Sequence, residues 1–145
     1  MSHDAESNSN TMESSDLMKH IGGCHCGQIE FEVQAPVEVN AISCNCSVCH
    51  MKQNIHFIVP NHHFKLTKGN DKLTTYTFNT HQAKHTFCSI CGVQSFYTPR
   101  SNPDGKGIMP HCIKYNTIKK IHITDFNGDQ WEQEIEKSGI RLRSS

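Results

Sequence analysis

Apolar and polar residues alternate over Ile29-Glu30-Phe31-Glu32-Val33, which predicts a strand with one buried face. Residues 55–59 form a denser apolar run that stops at Pro60. Residues 64–66 predict a short strand, and Lys68-Gly69-Asn70-Asp71 a turn after it. Residues 73–78 are rich in threonine and aromatics, with Thr74, Tyr76 and Phe78 on one face. Strands over residues 85–87 and 93–97 flank a C-x-x-C, which predicts a hairpin with the cysteine turn at its tip. Ser101-Asn102-Pro103-Asp104-Gly105 is a loop, and residues 108–113 and 121–123 complete the strand set. One C-terminal helix is expected. Asp129 is its cap, Glu132 completes a capping box, Trp131 and Ile135 share a face, and Ser138-Gly139 ends it. A single helical turn is expected at His50-Met51-Lys52-Gln53. The chain therefore reads as mainly β.

Residues 1–18 are rich in Ser, Asn, Asp and Glu, carry few bulky apolar groups, and are expected to form a disordered polar tail. Residues 19–137 form one domain, and residues 138–145 a C-terminal tail. Hydrophobic residues make up only 35% of the chain and mean hydropathy is −0.57, so the core should be modest and a metal staple useful. Net charge is zero with histidine neutral, which gives no electrostatic reason to expect direct nucleic-acid binding. No run approaches the roughly 20 apolar residues of a membrane span, so no membrane partner is expected. The N-terminus carries no apolar signal segment. A cytoplasmic or nuclear protein with reduced thiols is the expectation.

Compartment matters because the chain has eight cysteines, seven of them clustered. Cys24 and Cys26 stand one residue apart. Cys44, Cys46 and Cys49 form C-x-C-x-x-C, and Cys88 and Cys91 form C-x-x-C before Gly92. Such spacings suit a tetrahedral ion and fit disulfide geometry poorly. Two zinc sites can be drawn. Cys24, Cys26, Cys88 and Cys91 supply four thiolates, which makes a closed structural site. Cys44, Cys46 and Cys49 supply three, which leaves one position for a thiol ligand and marks these cysteines as the catalytic candidates. Cys112 stands alone. It could fill that position, lie buried without metal, or act in catalysis.

His25 and His50 adjoin ligand cysteines and could bind metal, contact substrate or face solvent. His62-His63 reads as exposed loop. His81, His85 and His111 could line a pocket, and Arg100 could bind a carboxylate. Phe57, Tyr76, Phe78, Phe87, Phe96 and Tyr97 are expected in the core, since too few Lys and Arg accompany them for a nucleic-acid stacking surface.

Three segments carry a resemblance: Gly22-Gly23-Cys24-His25-Cys26-Gly27, Cys44-Asn45-Cys46-Ser47-Val48-Cys49 and Phe87-Cys88-Ser89-Ile90-Cys91-Gly92. With residues 53–60, 74–81, 92–103 and 126–131, they resemble the glutathione-dependent formaldehyde-activating enzyme family, nearest its animal centromere protein V branch. The resemblance covers about residues 20–136. It implies small antiparallel sheets of the β-tent type around two zinc ions. One zinc would be structural, at Cys24, Cys26, Cys88 and Cys91. The other would be open, at Cys44, Cys46 and Cys49, and face glutathione or another small thiol. The implied activity is carbon–sulfur lyase chemistry on a glutathione adduct such as S-hydroxymethylglutathione. The alternative is a non-catalytic zinc module of the centromere protein V type that binds cytoskeletal or chromosomal proteins.

Overall fold

The computed structural model describes residues 16–144. In chain order its strands are β1 (Met18–Gly23), β2 (Glu30–Ala35), β3 (Glu38–Cys44), β4 (Ile55–Pro60), β5 (Phe64–Lys68), β6 (Leu73–Tyr76), β7 (His85–Cys88), β8 (Phe96–Tyr97), β9 (Gly105–Ile108) and β10 (Lys120–Phe126). Two short helices accompany them, α1 (Ser47–Lys52) and α2 (Trp131–Ser138). The strands form three small sheets. The largest has the order β10-β3-β4-β9-β8, the second is β1-β2-β5, and β6 pairs with β7. Among the described strands, β10 beside β3 is the one parallel pair. The fold is mainly β with small sheets and a short C-terminal helix, as the sequence predicts.

Alternation does most of this work. In β2, Phe31, Val33 and Ala35 are buried while the residues between them reach outward. Phe31 meets Phe64 and Phe96 at ring separations of 5.2 and 5.6 Å, which ties the second sheet to the first. Gly22 permits this packing, because a Cβ there would come within 2.4 Å of the Phe31 ring. Cys24 and Cys88 belong to the same buried cluster. A second cluster of Ile42, Ile58, Phe126, Ile135 and Ile140 packs on the other side.

Several expectations change. The two segments flanking the C-x-x-C do run antiparallel with the cysteine turn at their tip, bonded at Lys84–Thr98 and Cys88–Val93, but they share no continuous ladder: β7 pairs with β6, and β8 pairs with β9. The amides of Ile90 and Cys91 point at the Cys88 sulfur, so the chain leaves the ladder there. The strand expected over residues 108–113 ends at Ile108. Pro110, which has no N–H to donate, opens a 3-10 turn over Pro110–Cys112. Strands β1 and β3 were not expected. The first helical turn begins earlier, at Ser47, with Cys46 at its N-cap. Helix α2 takes Gln130 rather than Asp129 as its N-cap, with no side-chain cap bond, and stops at Gly139 with φ +72°. Of the six aromatics expected inside, Phe57, Phe96 and Tyr97 are buried, but Tyr76 is 50% exposed.

Past α2 the chain stays on the domain. Ile140 is buried, and the Asn102 amide donates to the Ile140 carbonyl and the Ser144 hydroxyl. Of the polar tail expected over residues 1–18, residues 1–15 lie outside the described residues, and Met18 already belongs to β1. No described helix is long and apolar enough to cross a membrane.

Candidate metal centres and the cavity above one of them

The two cysteine clusters form where separate elements end. Cys24 and Cys26 follow β1, and Cys88 closes β7 with Cys91 in the turn after it. Their four sulfurs all lie within 4.8 Å of one another. The Cys24–Cys26 and Cys26–Cys88 sulfur separations are 3.7 and 3.6 Å. A tetrahedron with metal–sulfur bonds of about 2.3 Å has edges of about 3.8 Å, so the spacing fits zinc. Ile29 N–H donates to the Cys24 sulfur and Ile90 N–H to that of Cys88, which favours thiolates. The Cys91 thiol is drawn down to about 6, first by the Val93 amide. Each cysteine pair is followed by a left-handed glycine, Gly27 at φ +84° and Gly92 at φ +80°. The cluster links segments 62 residues apart.

The second cluster holds Cys44 at the end of β3, Cys46 before α1 and Cys49 buried within it. These three sulfurs also lie within 4.8 Å of one another, and among the described residues no fourth His, Cys, Asp or Glu joins them. Cys112 does not fill the place. It is half-buried with its thiol pushed up to about 11, first by burial and then by the charges of Cys24 and Cys91, so it neighbours the other cluster. His25 and His50 are exposed and belong to neither group.

With no cation present, the three thiols cannot all ionise. Cys46 is drawn down to about 2, first by hydrogen bonding with Cys44 and then with Cys49. Cys44 is pushed up to about 11, foremost by its contact with Cys46, and Cys49 is pushed further up, foremost by Cys44. Three thiolates in this space require a positive charge among them, so the donor set fits a bound metal ion.

Neighbouring groups hold the trio in place. The Cys46 amide points at the Cys44 sulfur, and the Asn54 side-chain amide at that of Cys49. Asn45 accepts the Gly128 N–H, which brings the chain after β10 against the cysteine turn. A Cβ on Gly128 would stand 2.5 Å from Cys46 Cβ and 2.9 Å from the Cys44 sulfur, so only glycine fits.

A cavity of about 400 Å3 opens over this trio. One wall is an aromatic stack: Phe78 on His85 at 5.7 Å, and His85 on Tyr97 at 5.1 Å. Nδ1 of His85 is buried with no protein partner. Arg100 also lines the cavity; it lies 3.7 Å over the Trp131 ring and is paired with Glu132 at 3.0 Å.

A family model described as glutathione-dependent formaldehyde-activating enzyme matches residues 19–126. The chain belongs to this family. A crystal structure of a Rhodobacter sphaeroides protein from a structural genomics effort matches with TM-score 0.60 and 31% sequence identity, over 74% of this chain and 100% of that one. The family segment contains all seven clustered cysteines. Gly128, Trp131 and Glu132, which complete the site here, lie beyond it.

Of the side chains expected near the site of this formaldehyde-activating family member, His85 and Arg100 line the cavity. His81 and His111 are exposed and outside it. The sequence assigns Tyr97 and Phe78 to the core, yet both face the cavity. No sequence signal separates a cavity wall from a core when both are aromatic. His56, also a lining residue, was not foreseen.

The Asn54 carbonyl can only accept, so His56 Nδ1 carries the proton, and Nε2 accepts the Tyr97 hydroxyl at 3.2 Å. Burial pushes His56 down to about 4 from an ordinary 6.5. An unfolded chain takes up a proton near pH 6.5 that the folded one refuses until about 4. Stability from this residue is complete above the upper value and falls as pH drops through the window. Between pH 7 and 5 the loss is about 2 kcal/mol. In denaturant melts the stability gap between the native protein and His56→Gln should narrow by that amount. A gap that stays constant would contradict a buried neutral imidazole.

Proposed function

We propose that the chain is a carbon–sulfur lyase-type enzyme that handles glutathione or a glutathione adduct such as S-hydroxymethylglutathione. The observation that carries this is an asymmetry between the clusters. Four cysteines surround one point, whereas three stand at the floor of a 400 Å3 cavity with no fourth protein ligand among the described residues. On this reading Cys24, Cys26, Cys88 and Cys91 hold a structural zinc, while Cys44, Cys46 and Cys49 hold the reactive one. Zinc in the open site supplies a position where a thiol binds as its thiolate.

The chain's own side chains orient the rest. Phe78, His85 and Tyr97 exclude water along one wall, and His56 and Tyr97 stay uncharged through burial. Arg100, fixed by Trp131 and Glu132, offers a guanidinium to a carboxylate of the tripeptide. His85 Nδ1 is left for a hydrogen bond to the ligand. In the reaction, glutathione sulfur bonds to the carbon of formaldehyde, the carbonyl double bond becomes a single bond, and oxygen gains the proton that sulfur loses. Holding thiol and aldehyde together supplies rate by proximity. No feature of the described residues favours the alternative of a cytoskeletal or chromosomal binding module.

Exchange NMR with labelled formaldehyde and glutathione tests the proposal. The protein should speed exchange between free and glutathione-bound formaldehyde, and a chelator should abolish the effect. Exchange at the uncatalysed rate, in protein containing metal at both sites, would sink it.

A further inference from the structure

Two arginines share one tryptophan beside the cavity. Trp131 is the single tryptophan of the chain and lines the cavity over Cys44, Cys46 and Cys49. Arg100 lies 3.7 Å from the centre of its ring and Arg141 lies 5.5 Å from it. One loop sets both. Arg100 belongs to it, and Asn102, which is 0% exposed, donates its side-chain amide to the carbonyls of Ile140 and Arg141 at 3.0 and 3.3 Å. Ile140 is itself a lining residue. The two arginines differ in their partners. Glu132 takes the Nη2 end of Arg100, whose Nε is buried with no hydrogen-bond partner. Arg141 is exposed, and its guanidinium makes no ion pair among the described residues. Around the Trp131 ring, one positive charge among the described side chains is left without a counterpart.

We propose that Arg141 is a second carboxylate anchor of this cavity, beside Arg100, and that the pair selects thiols with two carboxylates over thiols with one or none. This rests on the reading of the cavity as a glutathione site and adds the residue that sets which thiols it favours. Glutathione carries two carboxylates, and a guanidinium matches a carboxylate with two parallel hydrogen bonds. Laid against an aromatic ring, both guanidinium groups are already oriented, so less freedom is lost when a carboxylate arrives. The Glu132 side chain is 79% exposed, and a surface pair of that kind contributes little, so it yields Arg100 to a ligand. Arg141 has no carboxylate to give up and contributes its full attraction. Trp131, Glu132 and Arg141 all lie beyond residues 19–126, so the selectivity is carried by the part of this chain outside the matched family segment.

Calorimetric titration of the full chain with S-methylglutathione tests this. Its methylated sulfur has no proton to lose, so binding reads the carboxylates apart from any lyase chemistry. Two comparison ligands each lack one carboxylate: the glycyl methyl ester, and the analogue with 4-aminobutyryl in place of γ-glutamyl. Each should bind roughly tenfold more weakly than the parent, as expected for one lost charge-assisted contact. The parent should also change the fluorescence of Trp131. Arg141→Gln should weaken the parent roughly tenfold and leave unaffected the one comparison ligand that lacks the carboxylate Arg141 holds. Arg141→Lys should recover part of the loss, since it keeps the charge without the fork. Equal affinity of the native chain for all three ligands, or no binding of the parent, would overturn the proposal. So would an equal loss for all three in Arg141→Gln, which would mean a structural role. Formaldehyde–glutathione exchange that fails while the discrimination holds would remove the lyase reading and keep the anchor. Exchange that proceeds without discrimination would remove the anchor alone.

Discussion

Cys88→Ala should leave a chain without a cooperative folding transition. Cys88 is 1% exposed, ends β7, and accepts two amide hydrogen bonds at its sulfur. Removing it takes one of four donors from the cluster that joins the turn after β1 to the turn after β7. Structural zinc contributes roughly 10–16 kcal/mol of apparent binding energy in finger peptides, against a total domain stability of about 5–15 kcal/mol. A site whose loss costs even a third of that range leaves little. The apolar core cannot compensate, because it is divided into two modest clusters and the first includes Cys24 and Cys88 themselves. Circular dichroism melts and exchange-resistant amides would check this. A sharp melt near the native temperature would show that the cluster is dispensable.

Cys46→Ser should do the reverse, abolishing thiol chemistry while the fold survives. Cys46 is half-buried, at the mouth of a helix that buries only Cys49, so the β framework does not depend on it. Losing a residue that merely supports a metal ligand costs about 10–100-fold in affinity or activity. Losing the ligand itself should cost at least the upper end of that range. The expected result is a native-like melt, one metal ion fewer per chain, and formaldehyde–glutathione exchange at least about a hundredfold slower. Unchanged exchange would remove the trio from the mechanism.

The contrast between these variants rests on features of unequal visibility in the sequence. Cysteine spacing is local information, and both clusters form as the spacing requires, because a turn of one or two residues points neighbouring sulfurs the same way. Alternation revealed β2 for the same reason. Strand β3 carries its own signal in Glu38-Val39-Asn40-Ala41-Ile42, where Val39 and Ala41 are buried. Pairing was less legible. Nothing local shows that β10 lies parallel to β3, nor that β7 prefers β6 to β8, since those choices depend on sheet edges that exist only after folding. The cavity was the least legible feature. Tyr97, His56 and Gly128 come from three distant segments, and Gly128 matters only because the Cys44–Cys46 turn leaves no room for a Cβ.

Metal content with cobalt substitution, measured with and without glutathione, tests the central claim most directly. Two ions per chain are expected, one with a four-thiolate spectrum that glutathione leaves unchanged, and one with a three-thiolate spectrum that shifts as the tripeptide sulfur binds. A single ion per chain, or two four-thiolate centres both indifferent to glutathione, would contradict it.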